Sequence, residues 1–447
     1  MSSIASYPAQ ADAASNTDPV SVTVPDETPS APVMHTLRTM GYNAQRIRCK
    51  SYATHHAKYN ILSYDPQWIC QDDVETGLYR SVVVDPETNR VLAYSPPYSM
   101  DVNRFAVKHP QTNLARYVAT EAVEGTMINL FYDWRIQKWE IATKNAIGGK
   151  YFFFRTQYPV DDASVAAANS PATFLDMFLD NFNHMSPWKA EDGTSIARDL
   201  DDIWWLPILD TQYTYSFVLQ HPKNHIVYPV DKPKLYLVAV YEILQGVNEA
   251  ETAIHTVRMV PYEEYSQYKV IREMILTGCI HYPPAILTRS TVDAYRAQHC
   301  EPERPADKMG VMIWDTVTGD RIHLENRAYL ALKELRGNNP NLQYHYYSLY
   351  RMNKVREFLL AFPMYKQSFY RFYTQYHTMI TKVHEGYLSY YVRKEGIPID
   401  KNVFVHVSRI HHEIYLKSLA EGNKKVITHK VVRAYFDAKE PRELLSI

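Results

Sequence analysis

The hydrophobic residues of this 447-residue chain change their period near residue 328, and this change limits the fold more than any other sequence feature. From about residue 34 to about residue 325, short β-type runs alternate with turns. From about Ala328 onward, apolar residues recur three and four positions apart, as on the buried face of a helix. We therefore predict an α+β protein in which mainly antiparallel sheet is followed by an all-α C-terminal domain.

Individual segments show both periods. Predicted hairpins and strands lie at residues 81–94, 127–143, 213–219 and 235–241. Predicted helices lie at residues 174–179 and 262–276. The longest helical stripe is mostly aromatic and consists of Tyr365, Phe369, Phe372, Tyr376, Ile380, Val383, Tyr387 and Tyr390. Such a stripe predicts packing against neighbouring helices, with a base-stacking platform as the alternative.

Three parts are predicted along the chain. Residues 1–33 are rich in Ser, Ala, Pro, Thr and Asp, and Tyr7 is their only aromatic residue, which predicts a disordered arm. Residues 34–327 form the predicted sheet domain, and residues 328–447 form a basic, Tyr-rich helical domain.

The charge of the chain is unevenly distributed. Its net charge is −1, yet 19 Lys and Arg stand against 10 Asp and Glu after residue 330. Either a nucleic-acid-facing module or a domain that docks on the acidic remainder would account for this surplus. The candidate nucleic-acid contacts are Lys354, Arg356, Lys366, Arg371, Lys424, Lys425, Lys430 and Arg433, with a solvated helix surface as the alternative.

Several classes of site lack their sequence signatures. The four cysteines contain no CxxC pair and no histidine pair has zinc-site spacing, so no metal site is predicted. P-loop, Rossmann and GxSxG motifs are missing. No apolar run approaches the ~20 residues of a membrane span, and no signal-peptide pattern opens the chain. We expect an intracellular protein that does not engage membranes.

The segment Ala122-Val123-Glu124-Gly125-Thr126-Met127-Ile128-Asn129 is followed by Trp139-Glu140-Ile141-Ala142-Thr143-Lys144. Together they resemble the RNA-ligase branch of the covalent nucleotidyltransferases, whose first motif reads Lys-x-Asp-Gly-Ser. The resemblance covers roughly residues 80–329 and extends to three more segments in the same order. These segments are residues 215–227, 307–313 and 318–326.

The resemblance implies that the reactive positions have lost their chemistry. Ala122 stands where the family has the lysine that attacks ATP, and alanine has no nucleophile. Val218 and Met309 replace glutamates that serve nucleotide or metal, and Mg²⁺ requires oxygen ligands. His323 and Glu325 replace two phosphate-facing lysines. The family's covalent lysyl-AMP intermediate is therefore not expected here, and no catalytic residue is assigned.

Some polar residues of the motifs remain. The resemblance makes Glu124, Thr126, Thr143, Lys144, Arg80 and Arg321 candidates for nucleotide or phosphate binding. A solvated or capping role is the alternative for each of them. If Glu124, Lys144 and Arg321 converge on a concave site, ligand binding is expected to survive.

The chain also resembles uncharacterised proteins of large eukaryotic DNA viruses, through Val123–Asn129, Tyr215–Pro222 and Leu335–Asn338. That resemblance implies a cytoplasmic, viral-factory or virion setting. We predict an RNA-ligase-like pseudoenzyme that binds RNA, another nucleic acid or a nucleotide, with no required cofactor. The alternatives are a structural or virion-associated protein with a protein partner, and an active ligase that uses ATP and Mg²⁺ with Lys144 as nucleophile.

Overall fold

The structure is a computed structural model. It describes residues 32–67, 74–109, 114–151, 172–185, 197–203, 205–224, 226–227, 229–245, 254–339 and 341–445. The predicted arm at residues 1–33 therefore lies almost entirely outside the described residues.

The strands belong to three antiparallel sheets. They are β1 (Met34–Arg38), β2 (Ile47–Ala53), β3 (Lys58–Tyr64), β4 (Val82–Val84), β5 (Val91–Tyr94), β6 (Tyr117–Glu121), β7 (Thr126–Asp133), β8 (Lys138–Ala142), β9 (Tyr213–Gln220), β10 (Lys234–Gln245), β11 (Ile254–Met259), β12 (Gly310–Asp315) and β13 (Arg321–Glu325). In the described residues the large sheet has the order β1-β11-β10-β9-β7-β8, the small sheet β13-β12-β6, and the third sheet β2-β3-β4-β5.

Helices cover the sheets and then replace them after β13. The α-helices are α1 (Val74–Gly77), α2 (Val102–Lys108), α3 (Phe174–Met185), α4 (Lys269–Leu276), α5 (Val292–His299), α6 (Arg327–Arg336), α7 (Leu342–Arg351), α8 (Val355–Ala361), α9 (Lys366–Tyr387), α10 (Lys401–Ile410), α11 (Lys417–Ala420), α12 (His429–Asp437) and α13 (Pro441–Leu444). Short 3-10 helices lie at Leu114–Arg116, Leu200–Asp202, Leu206–Ile208, Pro222–Asn224, Tyr262–Gln267 and Pro363–Tyr365. Two π-helical turns, Leu388–Arg393 and His411–Leu416, continue α9 and α10.

The large sheet buries both faces. Ile128 and Leu130 of β7 point to one face, where they pack with α3 and its neighbours in the largest hydrophobic core. Phe131 of the same strand points to the other face and packs against the third sheet with Tyr59. The cavity described below lies on this second face, beyond the area that the third sheet covers.

The two faces of the small sheet also carry different sets of residues. Ala119, Ile313 and Ile322 pack with α2 and α5 in a separate core. Their neighbours along each strand point the other way, because side chains alternate in a β-strand. The strand register aligns Val118, Trp314 and Arg321 in one cross-strand row, and a second row consists of Thr120, Met312 and His323.

The fold class predicted from the sequence is confirmed. Antiparallel sheets precede an all-helical C-terminal part, and the predicted hairpins correspond to the pairs β4–β5 and β7–β8. The segment at 262–276 differs, since a 3-10 helix and α4 share it and meet at Tyr268. The element type changes at Arg327, while the division into three domains stays a prediction.

The aromatic stripe of the C-terminal part lies along α9. Six of its members, from Phe369 to Tyr387, are buried among α7, α10 and α12. Tyr390, by contrast, is 48% exposed. The packing interpretation of this stripe is therefore confirmed for its central residues. Among the described residues, none of the helices combines the length and the hydropathy that a membrane span requires.

Candidate functional site

A cavity of about 670 Å³ lies between the small sheet and the second face of the large sheet. Its lining includes all five positions at which the sequence departs from the ligase pattern. These are Ala122, Val218, Met309, His323 and Glu325. Residues as far as about 200 positions apart in the sequence therefore meet in one concave site.

The walls of the cavity follow from strand register. The two rows of the small sheet form one wall, and Ala122 extends it through a 2.9 Å hydrogen bond from its N–H to the carbonyl of Gly310. The opposite wall contains the cross-strand pair Met127 and Val218. Beside them, β10 is irregular around Val238, which also lines the cavity. Bulges of this kind are frequent next to binding sites because they redirect side chains.

Two arginines are the distinctive polar groups of this cavity. The side chain of Arg321 is buried, at 6% exposure, and that of Arg80 is half-buried. Within the described residues, neither guanidinium has a carboxylate at ion-pair distance. Burial, and then repulsion from Arg80, lower the pKa of Arg321 to about 9. One buried and one half-buried cation, with no described carboxylate at ion-pair distance from either, form an environment suited to an anion.

The contacts that Arg321 does make are weak. Its Nη2 donates to the carbonyl of Pro96 at 3.5 Å, and its guanidinium lies 4.9 Å from the ring centre of Trp314. Its Nε has no hydrogen-bond partner among the residues that the structure describes. A buried donor without a partner is costly, so an acceptor that enters the cavity would recover free energy there.

Three tyrosines surround the arginine pair. Tyr64 lines the cavity, while Tyr94 and Tyr241 lie behind it with their rings 4.8 Å apart in an edge-to-face arrangement. Both of the latter hydroxyls are buried and find no partner in the described part of the chain. Sequence reasoning did not identify these residues, nor Trp314, since each comes from a different strand.

Four carboxylates also line the cavity, those of Asp101, Glu121, Glu263 and Glu325. Glu263 and Glu325 are exposed, and Glu121 forms an ion pair with Lys308. Burial, followed by repulsion from Lys333 and Arg321, lowers the pKa of His323 to about 4. The imidazole is therefore neutral at pH 7. It supplies no positive charge in place of a phosphate-facing lysine.

The structure gives Glu124 a structural role. Its side chain is 2% exposed and does not line the cavity. Its carboxylate accepts hydrogen bonds from the N–H of Ile226 at 2.8 Å and of Val227 at 3.0 Å. The carboxylate thus holds the segment after β9 against the start of β7. A ligand contact by Glu124 stays a prediction.

Replacement of Glu124 with glutamine is expected to destabilise the fold by about 1–2 kcal/mol, because a charge-assisted acceptor of two backbone N–H groups is lost. Urea unfolding followed by circular dichroism measures this change. Glu121→Gln is the matched control and should cost less, since the Glu121 ion pair is more exposed. Equal losses in the two variants would contradict the structural role.

Two further candidates also make structural contacts. Thr126 Oγ1 accepts a 2.8 Å hydrogen bond from Asn224 Nδ2, and Thr143 Oγ1 contacts the hydroxyl of Tyr151. Neither threonine lines the cavity. Their binding roles also stay predictions.

Lys144 lies one side chain away from the cavity. Its Nζ is 3.2 Å from the hydroxyl of Tyr64, a lining residue, and 4.5 Å from the centre of that ring. Burial and then Arg80 lower the pKa of Lys144. Of the three residues whose convergence would favour ligand binding, Arg321 lines the cavity, Lys144 is adjacent to it and Glu124 does neither.

Comparisons with known proteins give similarity at the level of solved structures only. No family model matches this sequence, and no curated protein matches it. The similar solved structures include RNA ligases. A ligand-free mutant of Naegleria gruberi RNA ligase is 11% identical, with a TM-score of 0.32, over 54% of this chain and 57% of that one. A mutant of the same ligase with ATP and Mn is 9% identical, with a TM-score of 0.33, over 68% and 98% of the two chains.

This chain thus spans little more than half of the first of those structures. Because the TM-scores are low, the fold class rests on the strand order and helices of the chain itself. Within the described ranges, no group of three or more His, Cys, Asp or Glu side chains is placed to hold a metal ion.

Proposed function

We propose that this protein binds a phosphate-bearing ligand, a nucleotide or a nucleic-acid end, in the cavity without forming a covalent intermediate. The observation that carries the proposal is the pair Arg80 and Arg321, which line a 670 Å³ cavity with no carboxylate partner in the described chain. Guanidinium groups bind phosphate oxygens through paired, charge-assisted hydrogen bonds. A phosphate would supply the negative counter-charge that no described carboxylate provides to the two arginines.

The side chains on the walls support the non-covalent part of the proposal. Ala122 is buried and carries no nucleophile, and Val218 and Met309 offer no oxygen to a cation. The phosphates of ATP could bind Arg80 and Arg321 at their end of the cavity. A Mg²⁺ ion does not suit the wall formed by Val218 and Met309. We therefore propose that binding does not depend on a divalent cation.

The finer parts of this proposal are the nucleic-acid partner, the pseudoenzyme state and the viral setting. The basic C-terminal part supports a nucleic-acid partner through its 19 Lys and Arg against 10 Asp and Glu. The segments shared with proteins of large DNA viruses support the viral setting. The three-domain division and an assembly partner are likewise retained as proposals.

Calorimetric titration of the full chain with AMP tests the proposal. We expect one site whose affinity is the same with Mg²⁺ as with EDTA, and binding of inorganic phosphate to the same site. Adenosine is the matched control ligand and should bind at least about tenfold more weakly, since it lacks the charged group. Adenosine binding as tight as AMP, or a strict requirement for Mg²⁺, would refute the assignment.

A further inference from the structure

A second concave surface lies in the C-terminal helical part, apart from the cavity. It is a groove of about 850 Å³ between α7, α8, the start of α9 and α12. Its lining includes the tyrosines Tyr346, Tyr350 and Tyr373 and the cations Arg356, Lys366 and Arg433. None of them lines the cavity of the arginine pair.

The groove carries a surplus of positive charge. Four cationic side chains line it against one carboxylate, that of Asp437. Arg433 lies 3.6 Å from this carboxylate, which also accepts a 2.6 Å hydrogen bond from Tyr376. Arg356 and Lys366 are exposed, and no ion pair joins either of them to another described residue. These two cations are available to an anionic ligand.

Accessible aromatic rings lie beside the basic residues of the groove. Tyr373 is 48% exposed, and Tyr350 is half-buried with its hydroxyl 2.9 Å from Nη2 of Arg433. Tyr346 lies buried beneath them, packed on Phe369 and Phe372. The accessible ring of Tyr373 on α9 therefore lies off the buried stripe that the sequence pattern singled out.

We infer that this groove binds single-stranded nucleic acid. Cations that follow a phosphate backbone, next to rings on which unpaired bases stack, are the general means of such binding. An acidic peptide would use the cations and leave the tyrosine faces unused. A duplex keeps its bases paired, and so presents none to Tyr350 or Tyr373. The inference is independent of the proposed ligand in the cavity, because the two sites share no residue.

Fluorescence anisotropy of the full chain with a labelled single-stranded RNA of about ten nucleotides tests the inference. Replacement of both Arg356 and Lys366 with alanine is expected to weaken binding about tenfold near 0.1 M salt. The same change should make the dependence of log K on log salt shallower by about 1.4, the value for two phosphate contacts on a single strand.

The control variant replaces Lys401 and Lys417, exposed residues outside the groove, with alanine and removes the same charge. It should leave the affinity and the salt slope nearly unchanged. An equal loss in this control would overturn the inference in favour of unspecific attraction by the whole basic part.

Tyr373 provides the test of stacking. Tyr373→Ala is expected to weaken binding about tenfold, whereas Tyr373→Phe keeps the ring and should bind like the parent protein. A duplex of the same length or a polyglutamate peptide that binds as tightly as the single strand would overturn the inference. Arg321→Met should leave RNA binding in the groove intact, so failure of the cavity proposal and failure of this inference are distinguishable.

Discussion

Replacement of Arg321 with methionine is expected to weaken AMP binding about 30-fold or more while making the protein without ligand more stable. The loss of affinity follows because a buried charge-assisted contact to phosphate is worth about 1.5–3 kcal/mol. The gain in stability follows because Arg321 holds a charge in a buried place beside Arg80, without a described carboxylate partner. Methionine fills a similar volume without that charge.

The gain is partly offset, since methionine loses the cation–π contact of Arg321 with Trp314. A net stabilisation of about 1 kcal/mol is expected, which corresponds to a Tm rise of about 2 °C. Calorimetric titration and thermal unfolding of the same samples measure the two effects together.

Arg258→Met is the matched control for this prediction. Arg258 is also partly buried, but its Nε lies 2.6 Å from the carboxylate of Glu242. Its removal leaves a carboxylate without its partner, so this variant should lower the Tm and leave AMP binding unchanged. If Arg321→Met is less stable than the parent protein and still binds AMP, the arginine is a structural residue and the proposed anion site is wrong.

The second prediction is that a lysine introduced at position 122 does not restore covalent attachment of a nucleotide. Ala122→Lys places an amine where the RNA-ligase resemblance would put a nucleophilic lysine, yet no covalent nucleotide is expected from ATP with Mg²⁺ or Mn²⁺. The new amine would lie in a cavity with Arg80 and Arg321, where Val218 and Met309 provide no metal ligand. His323, with its pKa near 4, provides no charge for the phosphates at pH 7.

Labelled ATP and denaturing electrophoresis measure this result, and the intact mass of the protein gives an independent check. The parent protein should also remain unlabelled. A label on the parent that disappears in Lys144→Ala would identify Lys144 as the nucleophile. A label that appears only in Ala122→Lys would show that the remaining site still supports the chemistry.

The sequence predicted the local elements well, because hairpins and helices are encoded by neighbouring residues. The pairs β4–β5 and β7–β8 and the helix α3 occur where alternation and helical spacing place them. The RNA-ligase resemblance singled out Val218, Met309, His323 and Glu325, which the sheets bring to the cavity beside Ala122. The predicted roles of individual side chains depended on contacts that no pattern displays.

Glu124 illustrates the limit of such reasoning. Its carboxylate is occupied by backbone N–H groups about 100 residues away, at Ile226 and Val227. Backbone donors carry no residue-specific signature, so a structural carboxylate looks the same in sequence as a ligand contact. The tyrosines Tyr64, Tyr94 and Tyr241 were missed for a related reason. They were three among 36 tyrosines until the sheets brought them to Arg321.

The cross-strand rows of the small sheet have a consequence for how its connecting turn can vary. Arg321 and His323 face the cavity, while Ile322 between them faces the core. Insertion or deletion of one residue in the turn between β12 and β13 would move each side chain of β13 to the opposite face. The arginine would then enter an apolar core, and an isoleucine would enter the cavity. We expect this turn to tolerate length changes of two residues far better than changes of one.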